Sequence, residues 1–333
     1  MNKRVLRADI LLLLTAVIWG FGFVAQRTGM QYVGPFAFNG IRFLLGSLFL
    51  LPFAVWSVKR RVVADKKTSG KHLVYSSFLV GTCLFVAVSF QQLGVMLTTA
   101  GNAGFITGLY VVLTPIFGIF LSRKTGFATW VGAFLTLTGL YFLSIAGRGG
   151  GINPGDLLVV ISAVFWSFHV LLIDRLVQKT DPLALSTGQF VFTGIYALAA
   201  AFLVEPVLSR WLQTLGPEFL RFGMYSWISL PEIISGLSLG TIPLSLVSGA
   251  VVPILYGGLV SVGIGYTLQV VAQRDAPPAH ATIILCLEGS FAALGGVLIL
   301  NEVVGAWTML GFVFMLSGML ASQWEVIVGR GRN

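Results

Sequence analysis

The chain has 333 residues, of which 56% are hydrophobic, 13% aromatic and only 10% charged, far below the roughly 25% charged of soluble domains. That composition excludes an ordinary soluble globular protein, and the net charge of +9 from 21 Lys and Arg against 12 Asp and Glu reads as a membrane topology signal rather than a nucleic-acid footprint. Cys83 and Cys286 stand far apart in apolar runs, with no histidine at ligand spacing, so no metal site, cofactor or disulfide framework is expected.

Ten apolar runs follow in chain order: residues 9–30, 35–57, 72–95, 98–122, 127–146, 156–178, 182–204, 249–272, 279–300 and 305–324. Most hold about 18 to 24 residues, enough to cross a ~30 Å hydrocarbon core at ~1.5 Å per residue. Lipid offers no partner to backbone polar groups, so the runs are expected as helices. The first run follows Met1-Asn2-Lys3-Arg4 as a signal peptide would, but no small-x-small pattern ends it, and it reads as an uncleaved span. Residues 205–248 form a long outer connection in which Val207, Leu208, Trp211, Leu212 and Leu215 recur at helical spacing, the pattern of a helix lying in the interface. The alternative is that 233–248 makes an eleventh span or a re-entrant segment.

With a cytoplasmic N-terminus, 16 of the 21 Lys and Arg fall on the inner side, leaving Arg27, Arg42, Arg148, Arg210 and Arg221 outside or within the membrane. The expectation is a multi-pass protein of the cytoplasmic membrane with both termini cytoplasmic and a secondary attraction to anionic lipid.

The two halves look like copies. Pro35-Phe36-Ala37-Phe38 with Arg42-Phe43 matches Pro182-Leu183-Ala184-Leu185 with Gln189-Phe190 at the same spacing, and Trp19 answers Trp166. Phe90-Gln91 to Ala103 and Leu268-Gln269 to Ala281 both span 13 residues. Five spans are an odd number, so a tandem copy enters the membrane upside down, the construction of many secondary transporters. The fold class expected is an all-α membrane protein of ten transmembrane helices in two inverted five-helix repeats, residues 1–147 and 148–333.

The strings LLLLTAVIWGFGFVAQR, PFAFNGIRFLLG and LYVVLTPIFGIFL in the first half, with the stretch from VSVGIGYTLQVVAQR to FMLSGMLAS in the second, resemble the drug/metabolite transporter superfamily with EamA-type repeats. The resemblance covers nearly the whole chain apart from 205–248 and implies transport, export in particular, of small metabolites. Two departures stand out. Leu287-Glu288-Gly289 keeps the acid of the family's Leu-Glu-Pro but not its proline, and Ser122-Arg123-Lys124 replaces a Gly-Glu-type turn. The second copy retains that acid in Asn301-Glu302. A helix bend is therefore expected more firmly at Pro115 than near 289.

A charge in hydrocarbon costs roughly 3 kcal/mol or more, so an intramembrane charge needs a partner or a wet cavity. Counting ~1.5 Å per residue from each span start sets Trp19, Trp166, Glu288, Tyr110, His169 and Arg42 at cavity depth. Glu288 reads as a cavity carboxylate for a cation or proton, or as a helix-packing acid. Arg42 reads as a carboxylate clamp, or as a snorkelling or interhelical charge, and its repeat mate Gln189 as a site residue or an interhelical hydrogen bond. His169 is a gating or packing residue, and Trp19, Trp166 and Tyr110 offer rings to an aromatic or cationic solute or pack the core. Arg27, Asp174, Gln91 and Gln269 come out near an interface on the same count and read as anchors.

No GxxxxGK[ST] string occurs, which disfavours ATP-driven pumping by this chain. No nucleophile with a base shares one depth apart from Glu288 with His169, so an enzyme is not expected. The function expected is a secondary transporter of small organic or amino-acid-like solutes, working by alternating access around a cavity lined by spans one, two, four, six and nine. A non-transporting receptor or scaffold of the same fold is the alternative. The partners expected are a small organic solute and membrane lipid, not nucleic acid, with proton coupling and a homodimer left open.

Overall fold

A computed structural model describes residues 3–63, 70–119, 127–144, 146, 153–208, 244–276 and 278–322. These residues are helical throughout apart from short connections. The first half contains α1 (Lys3–Gly29), α2 (Pro35–Val63), α3 (Gly70–Leu97), α4 (Ala100–Thr107), α5 (Tyr110–Ile119) and α6 (Phe127–Ser144). The second contains α7 (Pro154–Leu176), α8 (Pro182–Leu203), α9 (Leu244–Leu255), a π-helical stretch Tyr256–Tyr266, α10 (Thr267–Gln273), α11 (Pro278–Leu285), α12 (Glu288–Leu300) and α13 (Ala306–Ser322).

Among the described residues, eight helical stretches are long and apolar enough to cross a membrane, joined by two shorter apolar helices, Trp130–Phe142 and Ala306–Ala321. Each of the ten expected runs is thus helical. The chain is a multi-pass membrane protein. Its surface bears that out: Leu48, Leu51, Phe53 and Trp56 on α2, and Trp130, Phe134 and Leu137 on α6, are exposed. An apolar patch of that extent is stable only against lipid.

Local chemistry sets the helix ends. Asn153 and Asp181 each precede a proline at the first helical position and cap their helices, Asn153 Oδ1 accepting from Gly155 N at 2.7 Å and Asp181 Oδ1 from Leu183 N and Ala184 N at 3.0 Å. Thr99 Oγ1 accepts from Asn102 N at the start of α4, and Asn301, in the left-handed region at φ 54°, closes α12.

Two spans are broken, and not where the prolines point. Pro115 lies inside α5, while the fourth span breaks earlier, at Gly108-Leu109. The ninth breaks at Cys286-Leu287 without a proline at 289. Both breaks are local tightenings to i→i−3 hydrogen bonds: Leu109 N to Ile106 O at 3.0 Å in one, Leu287 N to Ile284 O at 3.2 Å in the other. Packing around the breaks holds them, so the expectation that the bend near 289 is the weaker one fails.

The broadest helix contacts pair α6 with α13, α2 with α8, α3 with α7 and α8, and α12 with α4 and α1, while the π stretch packs on α1 and α2. Gly46 meets the Gly258 carbonyl and Val262 with no room for a Cβ, which lets α2 press backbone to backbone on the π stretch. Residues 209–243 lie outside the described residues, and with them most of the expected interfacial helix and eleventh-span segment. The helix of the eighth run begins at Leu244, and its stretch apolar enough to cross, Gly249–Gln273, starts where expected.

Candidate functional site

A cavity lies where α1, α2, α3, α4, α5, α7, the π stretch, α10 and α12 converge. Trp19, Phe23 and Gln26 of α1 line it, with Arg42, Gln91, Thr107 and Tyr110 from the rest of the first half. Trp166 and Val170 of α7, then Ser261, Tyr266, Gln269 and Glu288, complete the wall. Its volume is about 20 Å³, room for about one water molecule.

Five of the seven expected site residues, Trp19, Arg42, Tyr110, Trp166 and Glu288, share this wall. The other two do not line it. His169 and Gln189 are fully buried and bonded to each other, Nε2 to Oε1 at 2.9 Å. They sit behind the wall, with the His169 ring edge-on to Trp166 at 5.4 Å and to Tyr266 at 6.4 Å. The wall also draws on spans three and eight, which the expected set of spans omitted.

Gln91 and Gln269 are corrected most. Both are buried on the cavity wall, 5% and 1% exposed, rather than anchored at an interface. Counting residues measures position along a helix, whereas burial depends on which side the neighbouring helices cover. Gln91 Nε2 donates to Thr107 Oγ1 at 3.0 Å, tying α3 to α4. Arg27, by contrast, is half-buried near the end of α1.

Aromatic rings form one side of the cavity around Tyr266. Its ring lies 4.5 Å from Trp19, 5.9 Å from Trp166, 5.8 Å from Phe43 and 5.7 Å from Phe190. The π geometry delivers both Tyr266 and the Ser261 carbonyl to this surface, and Trp19 Nε1 donates to that carbonyl at 3.2 Å. Such π stretches recur at functional sites. Tyr266 could have been found in the sequence only by its place one turn before Gln269 in the repeat.

Polar groups on the wall are left unpaired. Arg42 is 1% exposed, lies 5.5 Å from the Phe38 ring and 5.0 Å from that of Phe43, and donates from Nε to Asn39 Oδ1 at 3.0 Å. Among the described residues its Nη2 has no hydrogen-bond partner and no carboxylate pairs with it. Glu288, 3% exposed at the start of α12, has no partner on Oε1. Tyr110 faces it as a loose hydrogen-bonding neighbour of the carboxylate, while Trp166 Nε1, Gln26 Oε1 and Gln269 Oε1 have no partner among the described residues. Besides the Tyr110–Glu288 pair, two donors and two acceptors are thus left unmet around one space. Buried groups of this kind cost about 1–3 kcal/mol each when unmet, so the arrangement suits a polar solute.

Other buried or half-buried acids are spoken for. Glu302 Oε1 accepts from Arg27 Nη1 at 2.9 Å and from Ala100 N at 2.8 Å, while Arg27 also donates to the Thr98 carbonyl at 2.6 Å. This network fastens α1, the start of α4 and the end of α12 one residue beyond the cavity-lining Gln26. Asp156 accepts from Thr98 Oγ1 at 2.5 Å. Glu205 Oε1 accepts from Phe36 N and Ala37 N at 2.6 and 2.8 Å. Glu205, just past the end of α8 at the head of the long connection, is a buried cap on α2.

Known proteins agree with this architecture. A protein of Archaeoglobus fulgidus described as an uncharacterized transporter is 29% identical over 95% of this chain and 86% of its own. Another from Clostridium kluyveri, described in the same words, is 24% identical over 93% of this chain and 91% of its own. The Escherichia coli protein described as the uncharacterized inner membrane transporter YedA is 25% identical over 58% of this chain and 61% of its own. A crystal structure 16% identical shares the fold, with a TM-score of 0.61 over 98% of this chain and 99% of that one. The pattern of the EamA-like transporter family matches residues 6–145 and again 153–322, and the chain therefore belongs to that family of membrane transporters, within the drug/metabolite transporter superfamily.

Proposed function

We propose that this chain is a secondary transporter that exports small organic, amino-acid-like solutes across the cytoplasmic membrane by alternating access. In this reading ten helices cross the membrane as two inverted five-helix repeats, residues 1–147 and 148–333, with both termini cytoplasmic. The observation that carries it is the cavity, where, among the described residues, buried Arg42 has no counter-carboxylate and Glu288 has no cationic partner, only neutral Tyr110 beside it. A zwitterion supplies both missing partners, a carboxylate for the guanidinium and an ammonium for the acid.

Internal correspondences support the repeat. Trp19 and Trp166, like Phe43 and Phe190, are 147 residues apart and touch each other, with ring centroids 6.2 and 5.9 Å apart, as mates near a pseudo-two-fold axis do. The two helix breaks match at an offset of 178: Tyr110 opens α5 as Glu288 opens α12. The contacts of α7 with α3 and α5 are mirrored by those of α1 with the π stretch and α12. Inverted repeats of this kind carry their site at the repeat interface, on broken helices. A cavity with room for about one water admits a solute only after the halves part at one end, which is the motion alternating access requires. The inner-membrane description of YedA favours the cytoplasmic membrane.

Flux of labelled amino acids in proteoliposomes, with and without an imposed pH gradient, tests the proposal. The native chain is expected to move solute, and Arg42→Gln and Glu288→Gln to lower flux at least about tenfold, the effect of losing one charge-assisted hydrogen bond. Binding without movement by the native chain overturns transport in favour of a receptor or scaffold. Native flux in both variants overturns the assigned roles while leaving the fold in place.

A further inference from the structure

Arg42 is held by a neutral partner. Asn39 lies one helical turn before it on α2 and is fully buried. Its Oδ1 accepts from Arg42 Nε at 3.0 Å, and its Nδ2 donates to the Val88 carbonyl of α3 at 3.3 Å. Both ends of the amide are thereby fixed: Arg has only donors, so it takes the oxygen, and a backbone carbonyl takes the nitrogen. The rings of Phe38 and Phe43 flank the guanidinium, stabilising the cation without cancelling its charge. What remains is Nη2, without a partner, on a side chain that lines the cavity.

A carboxylate at position 39 would satisfy Nε equally well and has nearly the same shape, but it would neutralise Arg42 from within. The amide keeps the orientation and leaves the charge for the solute. We propose that Asn39 is a positioning residue that sets the charge selectivity of the cavity, holding Arg42 ready for a solute carboxylate. The inference rests on the reading of Arg42 as the partner of the solute's anionic group.

Binding by nanodisc-embedded protein tests it, with cavity tryptophan fluorescence as the readout. The probes are L-leucine, L-methionine and L-tyrosine, each beside the amine left when its carboxyl group is removed. The native chain is expected to bind at least one amino acid about tenfold or more tightly than its amine, the range of a charge-assisted hydrogen bond. Asn39→Asp is expected to abolish that preference, weakening the amino acid at least about tenfold while leaving the amine unchanged or tighter. A merely structural role for Asn39 would weaken acid and amine together and keep their ratio.

Retention of the native acid-over-amine ratio in Asn39→Asp overturns the proposal. If that variant fails to fold, Asn39→Ser decides: the ratio is expected to fall about three- to tenfold as the grip on Nε is lost, and an unchanged ratio overturns the proposal. If the native chain and Arg42→Gln bind acid and amine with one and the same ratio, the Arg42 reading itself has failed, an outcome distinct from failure at Asn39.

Discussion

The carboxylate of Glu205 fills the space that a side chain at Gly34 would need: a Cβ on Gly34 would come within 2.5 Å of both carboxylate oxygens. The second repeat solves the same problem locally. There Asp181 precedes Pro182 and caps its own helix; here glycine precedes Pro35, and the acid arrives from beyond the end of α8 to bind Phe36 N and Ala37 N. Gly34→Ala is therefore expected to expel the carboxylate and cost about 1–3 kcal/mol, the range for leaving buried donors unmet. Glu205→Ala should match it and Glu205→Gln, which keeps an acceptor oxygen, should cost less. Thermal unfolding in detergent gives the order, and a neutral Gly34→Ala refutes the cap.

Arg27 and Glu302 tie α1 to the end of α12 one residue beyond Gln26, which lines the cavity. Their side chains are 23% and 10% exposed, so the ion pair itself is worth about 0.2–1 kcal/mol after solvent screening. Glu302 also holds the first N–H groups of α4, a contact worth about 1 kcal/mol more. With Ser261→Cys as a reporter in a Cys83→Ser, Cys286→Ser background, Arg27→Gln is expected to raise the labelling rate by a membrane-impermeant thiol reagent about two- to fivefold. Glu302→Ala should raise it further, because it frees α4 as well. Equal rates in all three proteins show that the network does not limit access to Ser261.

The helical runs were legible because lipid forces a span to be apolar and internally bonded, and Trp19 and Trp166, matched by spacing in the sequence, do come into contact. Which way a residue faces was not. Helices in lipid are apolar on nearly every side, so periodicity carries little record of the face that meets other helices. Gln91 and Gln269 were misplaced for that reason, although their matched positions in the repeat were visible. Glu205 was missed for another: it caps a helix 169 residues away in sequence, a contact that no local pattern encodes. The break before Glu288 needed no proline, so the motif expected to bend that helix pointed to the wrong cause.

His169 and Gln189 stabilise the wall from behind, each fully buried and each with one further polar atom unmet. Gln189→Leu leaves the imidazole without its hydrogen-bond partner and is expected to cost about 1–3 kcal/mol. The double variant with His169→Leu should cost less than the sum of the singles, with a coupling of about 1 kcal/mol, since residues that share a hydrogen bond are not additive. Because neither lines the cavity, the acid-over-amine binding ratio should stay at its native value in all three. A changed ratio would move this pair into the solute site.

Trp19 and Trp166, which match by spacing in the sequence, use their indole nitrogens differently. Trp19 Nε1 donates to the Ser261 carbonyl on the π stretch, whereas Trp166 Nε1 has no partner although its ring lines the same cavity. Replacing indole by phenyl removes a similar apolar area at both positions, so the difference between the variants reports the hydrogen bond. Trp19→Phe is expected to be about 1 kcal/mol less stable than Trp166→Phe, since it strips a buried carbonyl of its donor. The order should reverse for the solute: Trp166→Phe is expected to lose about tenfold in affinity, the worth of one donor offered to a bound ligand, and Trp19→Phe much less. Unfolding midpoints and binding titrations on the same two purified variants measure both. Equal affinity losses would mean that the free indole N–H of Trp166 does not meet the solute, and that the two tryptophans serve the cavity only as packing.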